Sequence, residues 1–168
     1  MLRLRPLRLD DEAEFVAAHR AMEADDFEFG LGYSPGAPWA EYVERVAKQR
    51  CGIGLGAGMV PATFLVADVS GQIVGRTSIR HELNEHLTRV GGHIGYGVLA
   101  AHRRRGYATE ILRQSLIIAR AVGVERPLVT CDEGNVGSAR AIERCGGVYD
   151  SSVDLGDGTL PKRRYWID

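Results

Sequence analysis

The sequence predicts one α/β (α+β) domain built on a mixed, mostly antiparallel sheet of six to seven strands flanked by about four helices. Three observations predict it. Short runs of apolar alternation are interleaved with segments whose apolar residues recur at three- and four-residue spacing. Two β-rich runs, Ala62 to Val69 and Ile73 to His81, are joined only by Ser70-Gly71-Gln72, a connection short enough to require an antiparallel hairpin. Across 168 residues, 45% hydrophobic and 26% charged, no repeat, low-complexity tract or composition break interrupts the chain. Residues 1–168 are therefore expected to form a single domain with a single good core.

The elements follow in order. Leu2, Leu4, Leu7 and Leu9 alternate along a first strand, with Pro6 marking an edge or a bulge. Asp10 or Asp11 can cap a helix running to Met22, in which Phe15, Val16, His19 and Met22 form one stripe, and Trp39 to Val46 repeats the pattern. Between these helices, Asp25 to Pro38 carries Phe27, Phe29 and Tyr33 among glycines and prolines. Such a loop is either a pocket wall or a cap on the core. After the hairpin comes a strand from His93 to Leu99, then a helix from Tyr107 to Val122 stopped by Gly123. Pro127 to Cys131 is a short strand, and Asn135 to Cys145 a helix ended by Gly146-Gly147. Val148 to Val153 then pairs through the Asp154 to Gly158 turn with a final strand ending Tyr165-Trp166-Ile167. The aromatic edge of that last strand points to a homodimer.

Charge and composition exclude several classes. With 21 Lys and Arg against 22 Asp and Glu, a net charge of -1 offers no global attraction to nucleic acid or to an anionic membrane. No apolar run approaches the roughly 18 residues of a membrane span, and the start of the chain alternates charged and apolar residues unlike a signal peptide, so a cytoplasmic protein is expected. Cys51, Cys131 and Cys145 are too few and too scattered for a disulfide framework or a zinc knuckle. His81, His86, His93 and His102 lack helical ligand spacing with a carboxylate, so no metal is predicted.

The informative stretch is Val98 to Thr109, a strand running through His102-Arg103-Arg104-Arg105-Gly106 directly into a helix. The first N–H groups of a helix have no internal partner, the helix dipole places positive charge there, and small residues let an anion approach the backbone. The turn lacks the Gly-Lys-Ser/Thr ending of a nucleoside triphosphate loop. A second glycine cluster, Gly52-Ile53-Gly54-Leu55-Gly56-Ala57-Gly58, loosely fits a dinucleotide pattern, but Pro61 rather than a helix follows it, so it reads as a connector.

Arg103-Arg104-Arg105-Gly106-Tyr107-Ala108 resembles the Arg/Gln-x-x-Gly-x-Gly/Ala signature of the GNAT acetyltransferases, and the element order is similar to that fold over nearly the whole chain. Asn135-Val136-Gly137-Ser138 and Gly146-Gly147 resemble the family's second coenzyme A segment. Arg80 to Asn84, Gly91 to Tyr96 and Arg164 to Ile167 resemble a bacterial branch of unassigned substrate. The resemblance implies acetyl-CoA as co-substrate, with its diphosphate on Arg103, Arg104, Arg105, Gly106, Tyr107, Ala108 and Thr109. Its pantetheine arm would lie along Val98, Leu99 and Ala100, and its far side against Asn135 and Ser138.

The chemistry so implied is attack of a neutral amine on a thioester. An alkyl amine has a pKa of about 10.4, so roughly one molecule in a thousand is nucleophilic at neutral pH and a base is useful. Glu82, His81 and His93 are the candidates, since the third and fourth strands border the acceptor side in related folds. The N–H near Val98 is the implied oxyanion donor. Where the family often places a tyrosine as proton donor, this chain has Ile142, leaving Tyr149, Cys145 or water. Cys131 and Cys145 have no adjacent base in sequence, so direct transfer is favoured over an acyl-enzyme.

The expected partner is a small-molecule or peptide amine, drawn by Asp25, Asp26 and Glu28 if the aromatic loop is a pocket wall. Two other readings stand beside it: an acyl-CoA sensor without turnover, and nucleic-acid binding through His102 to Arg105. The neutral charge and the absence of interleaved aromatics weigh against the latter.

Overall fold

A computed structural model describes all residues from Met1 to Asp168. Its strands are β1 (Leu2–Arg5), β2 (Ala62–Val69), β3 (Gln72–Arg80), β4 (Ile94–Val98), β5 (Leu128–Asp132), β6 (Gly147–Val153) and β7 (Lys162–Ile167). Its helices are α1 (Glu12–Glu23), α2 (Trp39–Gln49), α3 (Tyr107–Ala121) and α4 (Val136–Arg144). They form a seven-stranded sheet in the order β1-β2-β3-β4-β5-β7-β6. Every pairing is antiparallel except that of β4 with β5.

The layers follow from strand alternation. On β3, Thr77 and Ile79 face α3, and the Ser115 hydroxyl bonds Thr77 Oγ1 at 2.9 Å. Arg76, Ser78 and Arg80, at alternating positions, face α1 and α2. On the first side Ile79, Leu112, Leu116, Ile142 and Tyr165 form a buried cluster, and on the other Phe15, Phe29, Trp39, Tyr42, Phe64 and Val66 form a second. Phe15 of α1 is the centre of the latter, in edge contact with Phe29 and Tyr33 at 5.5 Å.

Three expectations are corrected. The first strand ends at Arg5, because Pro6 lacks the N–H needed to continue the ladder. Asp11 precedes α1 but does not cap it. Its carboxylate instead accepts Arg5 Nη1 and Nη2 at 2.7 and 2.8 Å and the Arg8 N–H at 2.8 Å. The last strand is interior, inserted between β5 and β6, so the exposed edge belongs to β6 and the aromatic terminus gives no argument for a dimer.

Candidate functional site

β4 and β5 share a single paired position, Ile94 with Val129, and then diverge. On β4 the groups of His93 and Leu99 bond β3, through Arg80 N–H to His93 C=O at 2.7 Å and Leu99 N–H to Val74 C=O at 3.0 Å. By alternation the main chain of Tyr96 and Val98 points the other way, into the gap. The gap opens into a cleft of about 740 Å³ lined by Tyr96, Gly97 and Val98, by the cationic turn, by the start of α3 and by one side of α4.

The turn has the geometry an anion requires. Arg104 and Gly106 adopt left-handed backbone, at φ 64° and 80°, and Gly106 caps α3 without any side-chain hydrogen bond to the helix. A Cβ at Gly106 would meet nothing within 4 Å, so the glycine serves its φ rather than a tight fit. The N–H groups of Tyr107, Ala108 and Thr109 precede the first helical bond, from Glu110 N–H to Gly106 C=O. The arginines divide. Arg103 is committed, with Nε donating to Val98 C=O at 3.0 Å and its guanidinium paired with Asp25. Arg104 lines the cleft with no ion pair, and Arg105 lies outside the lining.

The opposite wall is α4. Asn135 is its N-cap, accepting the Ser138 N–H at 3.0 Å, and the Ser138 hydroxyl meets the Tyr96 hydroxyl at 2.9 Å. Burial foremost pushes the Tyr96 phenol above its ordinary value, against the opposing hydrogen bond from Ser138, so it holds its proton at neutral pH. Arg140 and Arg144, one turn apart, line this wall without ion pairs. Both escaped the sequence reading, although their four-residue spacing after the Asn135 cap put them on one helix face.

Of the residues expected at the cofactor, Val98, Arg103, Arg104, Gly106, Tyr107, Ala108, Thr109, Asn135 and Ser138 line the cleft. Leu99 and Ala100 do not. Leu99 pairs back to β3, and Ala100 opens a 3-10 turn whose carbonyl receives the Arg103 N–H. Tyr96 and Gly97 take their place, because the strands part earlier than expected.

The expected catalytic residues lie elsewhere. His93 is buried, its Nδ1 accepts the Leu128 N–H at 2.9 Å, and its own N–H donates to Leu128 C=O at 2.7 Å. It fastens β4 to β5, and burial, then Arg80, hold its pKa below the usual value. His81 bonds Thr63 across the hairpin at 2.8 Å. Glu82 is exposed on the turn after β3 and does not line the cleft. Tyr149 sits on the edge strand β6, 55% exposed, with its ring against Tyr165 at 5.7 Å. Ile142 is fully buried in the core.

The aromatic loop does both of the things weighed for it. Phe29 and Trp39 are core, whereas Phe27 lines the cleft with Asp25 and Asp26. Phe27 lies on Gly97, where a Cβ would fall 2.5 Å from its ring. The Gly52 to Gly58 stretch is irregular connector, as expected. No group of three or more His, Cys, Asp or Glu side chains is arranged to hold a metal, and no helix is long and apolar enough to cross a membrane.

Comparison with known proteins bears on this geometry. The family model for the acetyltransferase (GNAT) domain matches residues 1–148. No curated protein matches the sequence. Among solved structures the chain is similar to a GNAT-family acetyltransferase from Streptococcus pneumoniae, at 19% identity and TM-score 0.67 with both chains covered fully. It is similar to yncA, a putative acetyltransferase from Salmonella typhimurium solved with acetyl-CoA, at 14% identity and TM-score 0.64, covering 99% of this chain and 93% of that one. Mycobacterium smegmatis RimJ in complex with CoA-disulfide matches at 21% identity and TM-score 0.70, covering 99% and 81%.

Proposed function

The chain belongs to the GNAT acetyltransferase family, and on that basis we propose that it transfers the acetyl group of acetyl-CoA directly to an amine. The observation that carries the reading is the unpartnered start of α3 facing the gap between β4 and β5. The residues fit the group: free N–H donors, a left-handed glycine and the unpaired Arg104, Arg140 and Arg144 are what a diphosphate and a further phosphate need.

Acetyl-CoA supplies an acyl thioester. The N–H groups of Tyr107, Ala108 and Thr109 hold its phosphates, and the outward main chain of Tyr96 binds its amide-bearing arm as an added strand would. Because Arg103 occupies the Val98 carbonyl, the Val98 N–H is the group left to stabilise charge developing on the thioester oxygen. Asp26, which unlike Asp25 has no ion pair, draws the ammonium to the mouth of the cleft, where it loses a proton to water before reacting. The amine nitrogen then bonds the carbonyl carbon, the carbon–sulfur bond breaks, and the nitrogen sheds its second proton to solvent. Tyr96, protonated and at the gap, donates to the departing sulfur and is reprotonated from solvent, so one proton is released per turnover.

Cys131 and Cys145 stay out of the chemistry. Burial pushes the Cys131 thiol up to about 11 and also raises Cys145, and neither lines the cleft.

Calorimetry with coenzyme A tests the binding step. The protein is expected to give a saturable heat, and Gly106→Val, which forces a branched side chain into a left-handed φ, to weaken binding about tenfold. Absence of heat overturns the reading. Heat without amine-dependent thiol release across an amine panel supports the acyl-CoA sensor instead.

A further inference from the structure

A second cavity, of about 370 Å³, lies on the α1/α2 face of the sheet against α2, β2 and β3. Val46, Met59, Val60, Phe64 and Leu87 make its walls apolar, and its only charged side chains are Arg45 and Arg80. Arg80 donates from Nη1 to the carbonyls of Gly91 and Gly92 at 3.1 and 3.0 Å, while its Nε and Nη2 have no protein partner. Behind it Arg76, buried and on the same face of β3, bonds only carbonyls: Phe29 at 3.1 Å, Gly95 at 3.1 Å and Glu28 at 2.7 Å. The two guanidinium groups converge on Gly95, where a Cβ would stand 3.7 to 3.9 Å from both.

Neither arginine forms an ion pair, and the carboxylate of Glu28 is turned away to the Gly32 N–H. Arg76 is withdrawn from water without an acid and Arg80, half-buried, adds a like charge beside it, so an anion at Arg80 would offset a cost. The acidic groups are instead segregated at the cleft. Asp26, without an ion pair, and Asp25, paired with Arg103, lie there beside Phe27, whose ring stacks under Arg76 at 4.4 Å. Gly97 of the cleft and Gly95 beside the arginines are two residues apart on β4, a separation of about 7 Å.

Resting on the acetyl-transfer reading, we infer that the acceptor is an amine that also carries a carboxylate. Its carboxylate is held by the free Nε and Nη2 of Arg80 at the apolar chamber, and a short apolar spacer carries its amine past the Glu28 to Gly30 loop that divides the chamber from the cleft, toward Asp26. The volume suits such a molecule, at the lower end of small-ligand sites.

The test compares ω-amino acids from 4-aminobutyrate to 8-aminooctanoate with the matching alkylamines, and measures hexanoate binding to the CoA-saturated protein by calorimetry. Amino acids are expected to exceed alkylamines in kcat/KM by about tenfold or more, hexanoate to bind, and Arg80→Met to weaken both by a similar factor while CoA affinity holds. Should Arg80→Met not fold, Arg45→Gln at the rim is expected to weaken hexanoate roughly two- to fivefold. Equal use of alkylamines, no hexanoate binding, or an unaffected variant overturns the inference. With CoA still bound and amines still acetylated, those outcomes leave the acetyltransferase reading standing.

Discussion

Arg5 on β1 and Arg76 on β3 flank Val66 in one row of the sheet, two strand spacings or about 10 Å apart. They are almost equally buried, at 7% and 4% exposure. Arg5 meets two carboxylates, Asp11 through both terminal nitrogens and Asp68 at 2.9 Å. The bonds to Asp11 foremost, opposed by burial, raise its pKa further above an already high value. Arg76 meets none, and burial, then the charge of Arg80, lowers it to about 9, leaving it still cationic at neutral pH. One end of the row thus neutralises its buried guanidinium with carboxylates, while the other holds its own with three carbonyls and the Phe27 ring and keeps its charge uncompensated. Arg5 is structural cement. Arg76 and Arg80 make a positive wall, buried at the first and half-buried at the second, which the proposed carboxylate would complete.

The largest expected effect breaks the first half of that contrast. Asp11→Ala leaves Arg5 with Asp68 alone and frees the Arg8 N–H, and is expected to cost about 3 to 5 kcal/mol of unfolding free energy. Arg76→Met strands no charge and orphans only carbonyls, so it should cost about 1 to 3 kcal/mol. Urea unfolding of both variants checks the ranking. An Arg76→Met as damaging as Asp11→Ala would make the second arginine cement as well.

Acid pH sharpens the same contrast. Burial alone would raise Asp11 and Asp68, but their bonds to Arg5, with the backbone N–H of Arg8 for Asp11 and of Gly71 for Asp68, outweigh it and hold both below 3.8. A carboxylate depressed in the folded state stabilises fully above its unfolded pKa and loses that contribution as pH falls through the folded value. The protein should therefore lose stability steeply from about pH 4 downward. Asp11→Ala, less stable at neutral pH, should show a flatter acid limb in unfolding midpoints measured from pH 7 to pH 3. Equal slopes would detach Asp11 from the acid sensitivity.

Legibility in the sequence followed the range of the interactions. The hairpin of β2 and β3, the helix α3 and the cationic turn were readable because periodicity, Gly106 and Gly123 are local signals. Most of the lining of the cleft came with them. Three things were not readable. The insertion of β7 between β5 and β6 is a long-range pairing with no local mark. His93 could be read equally as a base or as a hydrogen-bonded strand-end histidine, because nothing in the sequence shows that Leu128, 35 residues on, donates to its Nδ1. The burial of Arg76 has no mark in the sequence, since it comes from the packing of the Glu28 to Gly30 loop over its guanidinium, as the Gly91-Gly92 turn half-covers Arg80.

The smallest effect concerns arginines of a third kind. Arg140 and Arg144 are exposed and unpaired, so unlike Arg5 or Arg76 they carry little desolvation and act on a bound anion across water and salt. Each of Arg140→Gln and Arg144→Gln should weaken CoA by about 0.3 to 1 kcal/mol, a factor of roughly two to five, without altering the unfolding midpoint. That loss should shrink at high salt, because charges separated by solvent are screened within a Debye length of about 10 Å at 0.1 M. Calorimetric titrations of coenzyme A at low and high salt measure both quantities. A salt-independent loss would place these side chains in direct, desolvated contact with phosphate, closer in character to Arg80 than to a solvated rim.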